Sequence, residues 1–486
     1  MVTLIKFRKM FRWALICLCL IPGAGYAEKP TLSMEECVLI AIRQNPRAQA
    51  VLAGLEEAVG LSTAAKSGFI PKLDVNAYYQ YRENDFGDST DLPTVQREIA
   101  YVEQLSAALA TPGTPLPAPI GRDVNIRRED YNLTVRISQN IFSSGRVRSQ
   151  VAIAKMAEER LMYVYQATLN ELVLETRLAF LSALLARDSI GVQQEAISRQ
   201  RTELALQEGQ FEAGIVGELN VMRASVSLAT FQPALLDAEA AYEQALLELA
   251  SLMAIPLDPE SGALPFRIVG TLEPVAPSID LPNALGRATA MRPEIQAQMK
   301  AIEMLKRQIV VERSQILPQV DVFASYEFYS ELDKNQPNAN VSTYTVGVTG
   351  NWQIFDGLEA AGRIKATRAR ITAAEHVLEE IRILVQKQVR SAFLSYDGAL
   401  RAYNATLKVK GLTNETLNSV QASYQAGLSS QIEVLQAQIQ AASSAESTLR
   451  ARFSLNASIA QLNSAIGVEM VLNGNAEQVK IPVAAP

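Results

Sequence analysis

The chain is written twice. Asn45-Pro46 returns as Arg292-Pro293, and Ile70-Pro71-Lys72-Leu73-Asp74-Val75 returns as Leu317-Pro318-Gln319-Val320-Asp321-Val322, both at an offset of 247 residues. Farther along, Ile141-Phe142 returns as Ile354-Phe355, Ala179-Phe180-Leu181 as Ala392-Phe393-Leu394, and Phe211-Glu212-Ala213-Gly214 as Tyr424-Gln425-Ala426-Gly427, now at an offset of 213. One design is therefore repeated, with 34 surplus residues between Asp74 and Phe142 of the first copy. Any fold must give both halves the same path, and that path mixes two periods that few architectures combine.

Each half begins helical. Ser33-Met34-Glu35-Glu36 reads as a capping box, in which the serine hydroxyl accepts a first-turn N–H and the glutamate reaches back. Pro46 and Pro293 interrupt these helices, because proline lacks the donor and disfavours helix in the residue before it. Helix resumes to about Lys66 and Arg313, and then the period becomes two. Leu73, Val75, Ala77, Tyr79 and Tyr81 alternate with polar neighbours, as do Tyr131, Leu133, Val135 and Ile137. The second copy repeats this with Val320, Val322, Ala324, Tyr326 and Phe328, and with Tyr344, Val346, Val348 and Trp352. Such segments, about ten residues long and rich in aromatics, suit strands that span a membrane. A soluble hairpin with one buried face would show the same alternation.

The helices that follow are unusually long. No proline occurs from Gly145 to Phe211, which predicts roughly 100 Å of helix at 1.5 Å per residue. Val147, Ala154 and Leu161 recur every seven residues, as do Val151, Tyr165, Leu172 and Ala179 with Glu158 in the gap, a coiled-coil-like seam. Ile364, Leu378, Val385 and Ala392 carry it in the second copy. The helices reverse at Gly214-Ile215-Val216-Gly217 and Gly427-Leu428-Ser429-Ser430, and return over Glu218 to about Ala254 and Gln431 to about Ile466. The surplus places an insertion, residues 83–129, between the first two strands. Its Val95, Ile99, Val102, Leu105 and Leu109 have helical spacing, and a proline-rich loop follows from Thr111. The domain plan is thus a signal segment 1–27, a first repeat 28–280 and a second repeat 281–486.

Composition removes other classes. Lys6, Arg8, Lys9 and Arg12 precede the apolar run Trp13–Ile21, and Gly25-Tyr26-Ala27 offers a small-residue cleavage site, so a secretory signal is expected. The run is short for a membrane helix. Neither Cys17 nor Cys19 follows a Gly or Ala, which leaves a lipid-anchored cysteine unsupported. The chain carries a net charge of −6; loss of four basic residues with the signal leaves −10, a poor balance for nucleic acid. Only Cys37 lies beyond the signal, so no disulfide can form within the chain, and the single His376 excludes a histidine-based metal or catalytic cluster. No nucleophile and base pairing, phosphate loop or cofactor motif is present, and an enzyme is not expected. No second long apolar run occurs, so a membrane would have to be crossed by strands. Four strands cannot close a spanning barrel, and an open edge in lipid costs several kcal/mol per unpaired backbone group. The chain must therefore oligomerise, to eight strands with two copies, twelve with three, or sixteen with four.

This ordered, duplicated set resembles the TolC-type outer-membrane efflux proteins over nearly the whole mature chain. The resemblance rests on Leu32-Ser33-Met34-Glu35-Glu36 through Asn45-Pro46, on Pro71 and Pro318 before the strands, on Ile354-Phe355-Asp356-Gly357, and on Tyr424-Gln425-Ala426-Gly427-Leu428. It implies a mostly α fold with a β-barrel portion: a homotrimer whose 12-stranded barrel in outer-membrane lipid continues as a helical tunnel into the periplasm. It also implies a periplasmic adaptor and an inner-membrane transporter as partners, no cofactor, and no chemistry in the channel itself. With the helices on the periplasmic side, residues 83–129 belong outside the cell. Under this resemblance the turns Gly214, Ile215, Val216 and Gly427, Leu428, Ser429 match the adaptor-docking tips. Glu433 and Gln436 match a pore-entrance position that is often acidic; Glu433 keeps the charge and Gln436 does not, so a single cation-favouring ring is expected. A coiled-coil stalk or adhesin of the envelope would account for the helices but not for four matched amphipathic strands.

Overall fold

The structure is a computed structural model and describes residues 30–85, 92–116, 125–257, 263–277, 279–333 and 339–467. The expected signal segment 1–27 lies outside the described residues, as do parts of the insertion and the tail beyond Gly467. The elements in order are β1 (Thr31–Leu32), α1 (Met34–Gln44), α2 (Pro46–Lys66), β2 (Lys72–Asp85), α3 (Leu92–Ala110), β3 (Asn125–Phe142), α4 (Arg146–Glu212), α5 (Glu218–Leu252), β4 (Arg267–Ile268), α6 (Leu281–Met291), α7 (Pro293–Arg313), β5 (Gln319–Asp333), β6 (Ala339–Asn351), α8 (Glu359–Gln425) and α9 (Gln431–Ile466). The chain divides into two compact units, and each draws on both halves of the sequence.

The first unit holds Val164–Ile295 together with 30–53 and 380–467. Its apolar core gathers Cys37, Ala41, Leu172, Phe180, Leu184, Leu249 and Met253, joined by Phe266, Ile268 and Leu272 from the segment that links the repeats. That linker is zipped to the start of α1 by the parallel pair β1–β4, with Thr31 opposite Arg267 and Leu32 opposite Ile268. The capping box of α1 is made: the Ser33 N–H donates to Glu36 Oε2 at 2.8 Å and the Glu36 N–H donates to Ser33 Oγ at 3.4 Å.

The repeat shows itself in how helix ends are finished. Asn45, before Pro46, donates from Nδ2 to the Leu252 carbonyl at the end of α5, at 2.9 Å. Arg292, before Pro293, donates from Nη1 to the Ala465 carbonyl near the end of α9, at 3.3 Å. Leu252 and Ala465 are themselves 213 residues apart, so both proline breaks serve one purpose: their side chains satisfy carbonyls that a helix C-terminus leaves open. The residues that turn the chain out of these helices also correspond. Gly467 has φ +74°, the left-handed conformation a C-terminal cap requires, while Ala254 takes the same conformation at φ +53°. The Ala254 N–H bonds to Ser251 O and the Ile255 N–H to Ala250 O, both at 3.0 Å, the paired bonds of a Schellman end.

The second unit holds Gly54–Tyr163 and Gln296–Glu379. Its centre is a four-stranded antiparallel sheet in the order β2-β3-β5-β6. The β2–β3 register is unbroken from Lys72 opposite Ser138 to Asp85 opposite Asn125, so the arms of the insertion extend the hairpin beyond the ten-residue strands expected. β3 pairs with β5 and β5 with β6, leaving one backbone edge of β2 and one of β6 without a strand partner among the described residues. The alternation sorts side chains in the sense opposite to a soluble hairpin. Leu73 (64%), Val75 (60%), Val346 (86%) and Val348 (70%) are exposed, whereas Asp130 and Asn132 on the other face are buried.

The turns from strand to long helix repeat too. Ser144 and Gly145 both have positive φ, as do Gly357 and Leu358, so each turn uses one glycine and one strained residue in swapped order. Ser144 Oγ donates to the Pro318 carbonyl at 2.6 Å, and Asp356 caps α8 by accepting from the N–H of Leu358 at 2.9 Å and of Ala360 at 2.7 Å.

Ala254→Gly should relieve a left-handed alanine and raise stability by about 0.5–1 kcal/mol, while Gly467→Ala at the corresponding position should lower it by about 1 kcal/mol. Loss of helical circular dichroism on heating the purified protein measures both; equal shifts in the same direction would show that backbone conformation does not set the effect.

Candidate functional site

The residues singled out by sequence meet at the far ends of the long hairpins, in the first unit. Where α4 gives way to α5, the Gly214 N–H bonds to Phe211 O at 2.9 Å and the Ile215 N–H to Gln210 O at 2.8 Å. Where α8 gives way to α9, the Gly427 N–H bonds to Tyr424 O at 3.0 Å and the Leu428 N–H to Ser423 O at 2.8 Å. These are the same Schellman turn, with glycine at φ +73° and +74° and open space where each Cβ would stand. Strain and not crowding therefore selects glycine here. The next residue in each turn is a large apolar side chain held out in solvent, Ile215 at 71% and Leu428 at 83% exposure. Val216 and Ser429 are half-buried behind them.

The two returning helices start differently. α5 follows Gly217, which offers no side-chain cap. α9 follows Ser430, whose hydroxyl accepts from the Glu433 N–H at 3.4 Å while the Glu433 carboxylate accepts from the Ser430 N–H and from the Ser429 hydroxyl. Glu433, expected as a pore charge, is thus also the N3 partner in a capping box. The Ser429 hydroxyl bond, then the Ser430 backbone bond, holds its carboxyl below the usual carboxylate range. Gln436 is exposed one turn farther along the same helix.

Behind the turns lies a polar seam that sequence reasoning missed. Gln200 Nε2 donates to Gln438 Oε1 at 2.7 Å; Gln207 Nε2 donates to Glu203 Oε1 at 2.8 Å and to the Tyr424 hydroxyl at 2.9 Å. Gln431 Nε2 reaches the Asn220 carbonyl at 2.9 Å, tying the starts of α5 and α9 together. Gln200, Glu203, Gln207, Gln431 and Gln438 are all buried. The seven-residue spacing of 200 with 207 and of 431 with 438 was the available signal. These contacts align the helices through hydrogen bonds between their side chains and backbones.

The sheet is the second functional part. Its polar face carries a cross-strand network: Asn132 Nδ2 to Glu327 at 2.7 Å, Asn140 Nδ2 to Asp321 at 2.9 Å, the Tyr329 hydroxyl to Asp130 at 3.2 Å, and Arg136 4.5 Å above the Phe323 ring. Phe323 lies against Gly347, where a Cβ would come within 2.8 Å of its ring. The apolar face carries the pairs Tyr79–Tyr131 and Tyr326–Tyr344, with ring centroids 5.0 and 4.9 Å apart. Among the described residues no helix is long and apolar enough to cross a membrane, and no three His, Cys, Asp or Glu side chains gather as metal ligands.

With this geometry in hand, comparison with known proteins is specific. The family model described as "Outer membrane efflux protein" matches residues 40–254 and 284–468, one stretch per repeat. Protein CyaE of Bordetella pertussis is 26% identical over 314 residues, 63% of this chain and 64% of that protein. The alkaline protease secretion protein AprF of Pseudomonas aeruginosa is 24% identical over 307 residues, 62% of this chain and 63% of that protein. The chain thus spans a little under two thirds of the length of these relatives. The Campylobacter jejuni CmeC outer membrane channel superposes with a TM-score of 0.70 at 17% identity, over 92% of this chain and 90% of that one, a likeness of fold.

A depressed carboxyl contributes stability that is full above its ordinary pKa and is lost as pH falls through the folded value. The cap on α9 should therefore be complete at neutral pH and weaken only in acid. Ser430→Ala should speed amide exchange of Glu433 and Val434 about five-fold at neutral pH, the equivalent of about 1 kcal/mol of cap. Exchange rates unchanged by Ser430→Ala would mean that these bonds do not hold the helix start.

Proposed function

Because the chain belongs to the outer membrane efflux protein family, we propose that it is the outer-membrane duct of a tripartite efflux or type I secretion assembly. The protein resides in the outer membrane. The observation that carries the duct reading is the sorting of the sheet: exposed apolar side chains of β2 and β6 on one face, and on the other a part-buried, hydrogen-bonded polar network. That division suits lipid outside and water inside. The unpaired edges of β2 and β6 would be intolerable in hydrocarbon, which favours closure between copies. Three copies give twelve strands, the trimer typical of the family, and α4, α5, α8 and α9 then extend the conduit into the periplasm. The duct performs no chemistry; a transporter in the inner membrane supplies the energy. A stalk or adhesin would have no use for a sheet with its apolar face outward.

The two hairpin turns are the proposed contact with a periplasmic adaptor. Gly214, Ile215 and Val216, and Gly427, Leu428 and Ser429, present an apolar knob on a rigid turn, a shape an adaptor's apolar groove can take up. Glu433 and Gln436 are the proposed pore-entrance positions, with Glu433 serving both the helix cap and a ring of charge. Since one relative is named for alkaline protease secretion, a polypeptide is the cargo to test first. The insertion 83–129 is proposed to face the cell exterior.

Three outcomes test these assignments. Cysteine at Thr114, which is exposed, should react with an impermeant thiol reagent on intact cells. Cys37 will not compete, because it is fully buried and burial pushes its thiol up to about 12. Labelling only after permeabilisation would invert the topology. Leu428→Asp combined with Ile215→Asp should abolish export of a reporter polypeptide while leaving outer-membrane assembly near normal; intact export would remove the turns from the docking surface. Glu433→Gln should reduce cation preference in single-channel recordings, whereas Ser430→Ala, which disturbs the cap but keeps the charge, should not. If both variants change selectivity alike, helix capping and not charge explains the effect.

A further inference from the structure

The ends of the four helices that meet the sheet carry a charge opposite to that of the chain. In the eight residues of α2, α4, α7 and α8 nearest the strands there are eight basic and two acidic side chains, whereas the whole chain carries −6. Both acids, Glu312 and Glu359, lie against Arg363, and Lys306 reaches Glu375 at 3.8 Å. Six cations remain, Lys66, Arg146, Arg148, Arg307, Arg313 and Lys365, and none has an ion pair among the described residues. All but the half-buried Arg146 are exposed.

These helix ends are neighbours. A Cβ at Gly68, just past α2, would run into Val147 of α4; a Cβ at Gly145, just before α4, would come within 3.4 Å of Val310 of α7; Arg363 of α8 meets Glu312 of α7 at 3.8 Å. The cations thus share one level of the unit, a band at the strand-side ends of four neighbouring helices. Directly between this band and the strands stands a collar of exposed large apolar side chains: Phe69, Ile70, Phe142, Trp352, Ile354 and Phe355, each more than half exposed. Aromatic residues of this kind sit at the level where hydrocarbon meets headgroups. Lys and Arg side chains within two turns of that level, about 12 Å at most, can extend their stems along apolar surface and place the charge among phosphates.

We propose that this band is a binding surface for anionic phospholipid headgroups of the periplasmic leaflet. The inference deepens the duct reading, since it requires the sheet to lie in the bilayer. The cations stand within two turns of the exposed apolar collar, which favours lipid over a lumenal anion as their occupant. The phosphate of a glycerophospholipid supplies the charge, and the acyl chains lie against the collar. Each cation at such a surface is worth about a five-fold change in local partition of an anionic lipid.

Trp352 allows a direct test, because it is one of two tryptophans and stands in the collar. The protein purified from outer membranes, after the expected loss of the signal segment that holds Trp13, is placed in phosphatidylethanolamine vesicles. These carry a small, equal mole fraction of dansyl-labelled phosphatidylglycerol or dansyl-labelled phosphatidylcholine. Energy transfer from Trp352 should report at least about five-fold enrichment of the anionic lipid near the collar, the effect of a single such cation. It should fall when salt is raised to about 1 M, where the Debye length is ~3 Å. The enrichment should vanish when Lys66, Arg148, Arg307 and Lys365 are all changed to Gln. It should persist when the same four positions exchange Lys for Arg and Arg for Lys, which guards against a folding defect in the first variant. Equal transfer to the two lipids in the unsubstituted chain overturns the proposal, as does unaltered enrichment in the glutamine variant. Specific release of the anionic label by inorganic phosphate, beyond that by sodium chloride at matched ionic strength, would make this a free-phosphate site and also overturn it. No transfer to either lipid would go further and contradict the placement of the sheet in the bilayer.

Discussion

The backbone N–H and C=O groups on the outer edges of β2 and β6 find no strand among the described residues of the protomer, and the rest of the architecture depends on where they find one. In water such edges can be solvated. In hydrocarbon each unpaired group costs several kcal/mol, and the side chains of this sheet place hydrocarbon on one face. A sheet with Val346 and Val348 exposed on one face and Asp130 and Asn132 buried on the other fits the proposed closure on copies of itself around water. Under that proposal, closure would set the same rotational symmetry on the helices.

The repeat explains why a single chain can do this with few distinct parts. Each half contributes a proline break whose preceding side chain finishes a helix, a strand pair, a strained turn and a hairpin with a glycine at its tip. Differences between the halves then stand out as places where the copies took on separate duties. Only the second tip is capped by a serine and glutamate pair; the first returning helix also starts with a carboxylate, Glu218, but follows Gly217, which offers no side-chain cap. Only the first half carries the insertion. Gly467 has been replaced by Ala254 at the corresponding helix end, where the alanine tolerates a backbone that favours glycine.

Much of this was legible in the residues. The Ser33 to Glu36 capping box, the two proline breaks, the period-two strands and the glycine reversals at Gly214 and Gly427 are local patterns with local physical causes. The boundaries of the long helices followed from the absence of proline and the apolar seam. Other features were not legible because their partners are distant. The carbonyls that Asn45 and Arg292 satisfy lie 207 and 173 residues away. A buried Gln200 or Gln438 looks by type like a surface residue, and only its seven-residue spacing hinted otherwise. Glu433 shows the opposite difficulty. Ser430 and Glu433 have the same spacing as Ser33 and Glu36, yet the resemblance to a pore position drew attention to the charge and away from the cap.

The central claim is that the open sheet closes in a ring of three. Cysteine at Val75 on β2, paired in turn with cysteines along β6 from Val341 to Thr349, can be oxidised in the outer membrane and resolved by denaturing electrophoresis. At the matching register the account requires a ladder of covalent species that stops at three chains. A ladder that stops at two or four, one that runs on without limit, or no crosslink at any register would contradict it.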